Sequence, residues 1–248
     1  MYCDTHCHLD YDVFKEDIDE VMQRSKDVVI VSSVVEADRF EWMRVLSRKY
    51  QNLYLSIGLA PQDLQKEKYE KTKDLIREHR QDIVAVGEVG LDHHWIKQES
   101  QMRKQEQWFR EFIKIAQETR LPLVIHSREA EQETINILQE HKAKAIMHCF
   151  SGTPELAEKA IAAGALISIP SNVTYVKTRQ KLAKKLPLES MVLETDSPYL
   201  APVKGQRNEP WGVKEAAKKI AQLKGVSLGQ VRDTTTENAL RFYGLEDG

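Results

Sequence analysis

Eight short aliphatic runs, the charged helix-periodic stretches between them, and the lack of any nucleotide-loop signature predict an α/β fold. The expected architecture is a single (β/α)8 TIM barrel over residues 1–248 with two extra helices at its C-terminal end. The length fits, since such barrels take about 250 residues. Strand-helix alternation on this scale implies parallel strands joined by crossover helices. The absence of GxGxxG and Walker A patterns removes the usual signatures of the open doubly wound alternative.

The first run, MYCDTHCH (1–8), is followed by the amphipathic stretch DVFKEDIDEVMQRS, and the second, VVIVSSVV (28–35), by ADRFEWMRVLSRKY. The third and fourth runs are NLYLSIGL (52–59) and IVAVGEVG (83–90). QMRKQEQWFREFIKIAQETR follows as the longest helical segment. LPLVIHSR (121–128) and KAIMHCFS (144–151) are the fifth and sixth; TPELAEKAIAAG then has a Thr153-Pro154 helix start and Gly164 as its stop. ALISIPSN (165–172) and MVLETDSP (191–198) complete the set. A loop, VKGQRNEPWG, leads to the helical stretches WGVKEAAKKIAQLKG and SLGQVRDTTTENALRFYG. No low-complexity linker interrupts this order.

Composition narrows the functional classes. With 41% hydrophobic and 30% charged residues the chain can build a globular core. A net charge of -2 exerts no global pull on polyanions, so any nucleic-acid contact must come from a local basic patch. No basic segment leads into an apolar run near Met1 and nowhere do about 18 apolar residues follow one another, so neither a secretory signal nor a membrane span is expected. The three cysteines, Cys3, Cys7 and Cys149, form no CxxC pair, and a cytoplasmic setting is expected.

Polar residues intrude late in the aliphatic runs: His6 and His8 in the first, Glu88 in the fourth, His126 in the fifth, His148 in the sixth and Asp196 in the eighth. Chemistry in a parallel barrel belongs at the strands' C-terminal ends, so these six should line one rim. Residues two apart on a strand share a face, which aims His6 and His8 the same way and turns Cys7 into the helix layer. Asp4 then lies deeper on that face, as support for an imidazole rather than a ligand. Taken singly, Asp196 reads as a turn or N-cap and Glu88 as an interior ion-pair partner. Together, four histidines and two carboxylates need a cation. Six donors exceed what a structural zinc requires, implying either one ion with spare ligands or two ions sharing a carboxylate, with Zn, Mn, Co, Ni, Fe or Mg all compatible.

At these residues the chain resembles the TatD-type metal-dependent deoxyribonucleases, within the amidohydrolase-like barrels. The matching motifs are DTHCHLD (4–10), VGEVGLD (86–92), LPLVIHSREA (121–130), MHCFSG (147–152), LETDSPYL (193–200), RNEP (207–210) and TENALRFYG (236–244). The resemblance implies two divalent ions per chain, one held by His6, His8, Glu88 and Asp196, the other by the same Glu88 with His126 and His148. It implies phosphodiester hydrolysis, as 3′-to-5′ exonuclease action on single-stranded DNA or RNA ends, with Glu88 and Asp196 as catalytic residues. Asp196 can accept the attacking water's proton. Arg128, on the face of His126, and Arg207 of the RNEP loop are candidate phosphate contacts, and Glu209 matches the family's loop as a further substrate-binding candidate.

Two departures stand out. SIGLAPQ places Ala60 where members commonly have a histidine, and His93 and His94 replace an aromatic pair after GLD, there to rim the site or to sit in a solvated loop. Nucleic-acid ends are the expected partner, the protein acting as a monomer with a shallow salt dependence. Two alternatives remain. One is a hydrolase of esters, amides or lactones on the same scaffold, D-aminoacyl-tRNA included, against which Glu88 stands where several amidohydrolases carry a modified lysine; the other is a metal-binding protein without catalysis.

Overall fold

The structure, a computed structural model, describes residues 1–245; the last three positions of the expected 1–248 domain lie outside the described residues. One eight-stranded sheet runs in sequence order: β1 (Tyr2–Cys7), β2 (Val28–Val34), β3 (Leu53–Ile57), β4 (Ala85–Asp92), β5 (Leu123–Arg128), β6 (Ala145–Met147), β7 (Leu166–Pro170) and β8 (Met191–Glu194). Each strand pairs in parallel with the next. Between them lie α1 (Ile18–Arg24), α2 (Phe40–Lys49), α3 (Lys66–Glu78), α4 (Glu99–Thr119), α5 (Glu131–His141), α6 (Pro154–Ala162) and α7 (Lys177–Lys185), with α8 (Val213–Lys224) and α9 (Leu228–Tyr243) after the last strand. The strands are buried on both faces, which is why they read as nearly unbroken aliphatic runs rather than alternating ones. Helix ends follow local chemistry: Thr153 Oγ1 accepts from the Leu156 amide at the start of α6, Ser227 and Gln230 form a capping box on α9, and Gly164 turns at a φ of 89°.

The barrel interior is layered. An apolar layer of Cys3, Val29, Val31, Ala85, Val124, Ile146 and Val192 packs against Ala239, Phe242 and Tyr243 of α9. Of the two C-terminal helices, α8 takes the eighth place in the ring and α9 covers this interior layer, Tyr243 donating its hydroxyl to Thr5 O at 2.8 Å. Above it small polar side chains meet, Ser56 bonding Ser33 at 3.1 Å and Thr5 facing Ser168 at 3.3 Å. Narrow side chains there leave room above for imidazoles.

The strands β1 and β8 meet through specific bonds. Asp196 N donates to His6 O (2.9 Å), His8 N to Ser197 O (2.8 Å), and Thr5 Oγ1 to Leu193 O (3.0 Å). The same seam carries Asp4, whose carboxylate accepts from Thr195 N at 2.8 Å and Thr195 Oγ1 at 2.5 Å. Asp4 therefore braces the seam's backbone and touches no imidazole, contrary to the period-two expectation. The reason is a bulge: β1 shifts register against β2 between Asp4 and Cys7, so alternation does not carry from Asp4 to His6.

Two aliphatic runs are cut back furthest in the strands they form. The sixth pairs only over Ala145–Met147 and the eighth only over Met191–Glu194. Beyond those points the chain turns, with Cys149 at φ 45° and Asp196 at φ 55°. The fourth run is displaced two residues toward the C-terminus, and β4 carries its own register shift between Val86 and Val89. Neighbouring glycines make room for it. A Cβ on Gly58 would stand 2.2 Å from Glu88 O, and one on Gly90, at φ 144°, 2.0 Å from His126 O.

Candidate metal centre

All six residues expected at the rim converge at the C-terminal end of the barrel. The β1 bulge sends both His6 and His8 inward, their Nε2 atoms 3.1 Å apart, while Cys7 packs in the helix layer. Glu88 Oε2 lies 3.5 Å from each of these nitrogens, and Asp196 Oδ1 lies 3.7 Å from His6 Nε2 and 3.6 Å from His8 Nε2. The other oxygen of Glu88, Oε1, faces His126 Nδ1 at 2.7 Å and His148 Nε2 at 3.5 Å. His6, His148 and Asp196 form a third possible donor group.

The first set fits a metal ion. The two imidazole nitrogens lie 3.1 Å from each other and 3.5 to 3.7 Å from an oxygen of Glu88 and of Asp196, and His6, His8 and Glu88 form a compact donor triad. A tetrahedral ion with ligands at about 2.1 Å holds its donors about 3.4 Å apart. Glu88, His126 and His148 form a three-donor group, the open kind that leaves a position for reactant. Borderline nitrogen and hard oxygen donors together suit a divalent first-row ion, or Mg with added water.

The supporting contacts are equally specific. His8 Nδ1 lies 3.1 Å from Ser33 O, and the ring stacks on Tyr11 with centroids 4.9 Å apart. His126 Nε2 lies 2.9 Å from Asp92 Oδ2, and His148 Nδ1 3.4 Å from Glu194 Oε2. Asp92 also accepts from the amides of His94 and Trp95, each at 2.9 Å, so it ties the loop after β4 to the ligand on β5. These carboxylates orient the rings that would hold the ions. The sequence reading did not single out Asp92 or Glu194, although Glu194 stands two residues before Asp196 and Asp92 four after Glu88. The signal that could have found both was a carboxylate at or just past the end of an aliphatic run.

The protonation states of the clustered groups depend on one another. Burial pushes Glu88 upward, but the imidazoles of His148 and His126 outweigh it and hold the carboxyl well below its usual range. His126 shows the converse: burial opposes its charge, yet hydrogen bonds to Asp92 and Glu88 raise it to about 9. Asp196 is pushed up to about 7 by burial, partly countered by His148. His6 is held well below its ordinary value by burial, with His148 and His8 adding to the effect.

Above the donors opens a cavity of about 460 Å³. Arg128 lines it, its guanidinium 5.7 Å from the centre of the exposed Trp95 ring. Ala60 lines it too, at the position where a family histidine was expected. Arg207 and Glu209 do not. Arg207 is bound to Asp17 and Glu209, at 2.5 and 2.9 Å, and Glu209 also accepts two bonds from Arg24, at 2.8 and 2.9 Å, and one from Trp211 Nε1 at 3.1 Å. This network joins the loop before α8 to α1. Arg207 and Glu209, expected as substrate contacts, are here engaged with protein partners, a pairing between segments nearly two hundred residues apart that local sequence does not reveal. His93 and His94 turn toward Glu133 and Glu129, at 3.8 and 2.6 Å, away from the donors.

A parallel barrel with histidine and carboxylate donors gathered at its C-terminal face defines a metal-dependent hydrolase. Comparison with known proteins agrees. The model of the TatD related DNase family matches residues 3–244. Human deoxyribonuclease TATDN3 is 38% identical, over 97% of this chain and 93% of its own, and an uncharacterized metal-dependent hydrolase of Methanocaldococcus jannaschii is 38% identical over 98% and 96%. The crystal structure of a TatD homolog from Escherichia coli superposes with a TM-score of 0.89 at 28% identity, covering 98% of both chains. The chain belongs to the TatD related DNase family. No described helix is long and apolar enough to cross a membrane.

Proposed function

We propose that this protein is a two-metal phosphodiesterase that shortens single-stranded DNA or RNA from the 3′ end, as a monomer in a reducing cytoplasm. The observation that carries the reading is the division of Glu88, one oxygen toward His6 and His8 and the other toward His126 and His148. A carboxylate so divided suits two adjacent cations, and paired cations suit phosphodiester hydrolysis. The relatives' DNase name points to the same substrate class.

In this reading His6, His8, Glu88 and Asp196 hold one divalent ion, and Glu88, His126 and His148 the other. The ions, when bound, acidify the attacking water and neutralise charge on the phosphate. The chain's own groups do the rest. Asp196 takes the water's proton at the carboxylate oxygen not turned to the imidazoles. Arg128 holds a non-bridging phosphate oxygen, its stem fixed by β5. Asp92 and Glu194 keep the imidazoles of His126 and His148 in place.

The test is end-labelled single-stranded oligonucleotides with Mg, Mn, Co or Zn, with and without chelator, beside a D-aminoacyl-tRNA and a lactone. Stepwise loss from the 3′ end that chelator stops is the expected result. An oligonucleotide left intact with every ion, while the ester or lactone is cleaved, refutes the reading.

A further inference from the structure

Arg179 draws attention because nothing in the sequence marks it. It sits in TRQKLAKK, a stretch whose cations read as the wet face of a helix. In the structure it occupies the first turn of α7, two strands round the barrel from Arg128, and lines the same cavity above the donors. Its Nη2 donates to Cys149 Sγ at 3.2 Å. Its Nη1 is buried without a hydrogen-bond partner among the described residues.

That pairing leaves the guanidinium poorly served. A thiol is a weak acceptor, and a buried charged N–H without a partner is costly. The contrast with Arg207 is direct, since there both Asp17 and Glu209 face the guanidinium. Of the acidic groups near Arg179, Glu88 faces four imidazoles and Asp196 the His6–His8 pair, while Glu194 stands 3.4 Å from His148 Nδ1 without a hydrogen bond to it; the hydrogen bond of Arg179 is to Cys149. When the neighbouring cluster holds divalent ions, an anion placed between them and the guanidinium lowers the repulsion. Arg179, bonded to Cys149 one residue after His148, shares the cavity with Glu88, His126, His148 and Arg128. Two guanidinium groups in one cavity suit a tetrahedral anion with several equivalent oxygens.

We infer that Arg179 is a substrate-phosphate anchor, its Nη1–H donating to a non-bridging oxygen of the phosphoryl group next to the scissile bond. This rests on the phosphodiester reading above and adds to it a second guanidinium, delivered by the helix layer rather than by a strand end.

The experiment separates the two claims by measuring binding without turnover. Metal-loaded wild type, Arg179→Gln and Arg179→Lys are titrated calorimetrically with thymidine 5′-monophosphate, and their kinetics are followed on an oligonucleotide, with metal content and Tm recorded for each. A charge-assisted hydrogen bond corresponds to roughly tenfold to hundredfold in affinity. Arg179→Gln is expected to bind the nucleotide that much more weakly at unchanged metal content, with Arg179→Lys recovering part of the loss because it keeps the charge but not the fork. On the oligonucleotide the loss falls mainly in KM. Nucleotide affinity of Arg179→Gln or Arg179→Lys within twofold of wild type overturns the inference, as does a wild type that gives no binding heat at millimolar nucleotide. Weakened nucleotide binding alongside an intact oligonucleotide in every assay supports the anchor while removing the phosphodiester reading.

Discussion

Replacing Glu88 with Ala tests the centre at its most connected point. In the structure this one side chain reaches all four imidazoles, at 3.5 Å from His6, 3.5 Å from His8, 2.7 Å from His126 and 3.5 Å from His148. Its loss removes one of four donors from the first group and one of three from the second. A tetrahedral protein site binds its ion with about 10–16 kcal/mol, so each donor is worth about 3–4 kcal/mol, and its removal weakens affinity by roughly 10² to 10³ at both positions. Elemental analysis after gel filtration in metal-free buffer is expected to find about two ions per wild-type chain and less than one in Glu88→Ala. Thermal unfolding supplies an independent reading. Two ions, each at 100 times its Kd, stabilise by about 5.4 kcal/mol together, or roughly 10–20 °C for a chain of this size. Wild type should lose that margin in chelator, and the variant should show no such loss. A folded Glu88→Ala protein that retains two ions would refute the bridging arrangement.

Other expectations follow from neighbouring contacts. Asp196→Asn keeps one oxygen toward His6 and His8 but cannot take up a proton as a carboxylate does, so turnover should fall by about 10² to 10⁴ while metal content changes little; near-normal turnover would exclude the base role. Asp92→Asn weakens the hold on His126 Nε2 and should cost roughly 10- to 100-fold in affinity for the more weakly held ion, read by competition with a fluorescent chelator; an unchanged affinity would mean the ring is placed by packing alone. Glu209→Ala removes the partner of Arg24, Arg207 and Trp211 at a partly screened position, so about 1 kcal/mol of stability and roughly 2–4 °C in Tm should go. Because Glu209 lies outside the metal cavity, KM should stay within about twofold on the family's expected substrate at saturating metal; a KM raised tenfold would restore it as a substrate contact.

Much of the centre could be read without coordinates because a barrel ties strand order to a rim and strand parity to a face. His126 and Arg128 share the inward face of β5 as parity requires, and His148 follows β6 at the same level. The reading failed where the backbone leaves its period. Asp4 was placed on the imidazole face by counting in twos, and the bulge between Asp4 and Cys7 put it on Thr195 instead. Glu88 lies by a second such shift, in a strand that the aliphatic run placed two residues too early.

Eight aliphatic runs, six polar intruders and the order of the motifs determine the barrel and which side chains gather at its rim from sequence alone, because hydrophobic periodicity and strand-end position are properties of short stretches of chain. The partners of the long, flexible cations are of another kind. Arg207 turns to Asp17 and Glu209, whereas Arg179, inconspicuous among the lysines of α7, faces the donors. Which carboxylate an arginine finds depends on segments far apart in the chain, Asp17 and Arg207 among them, and only the closed barrel brings those together.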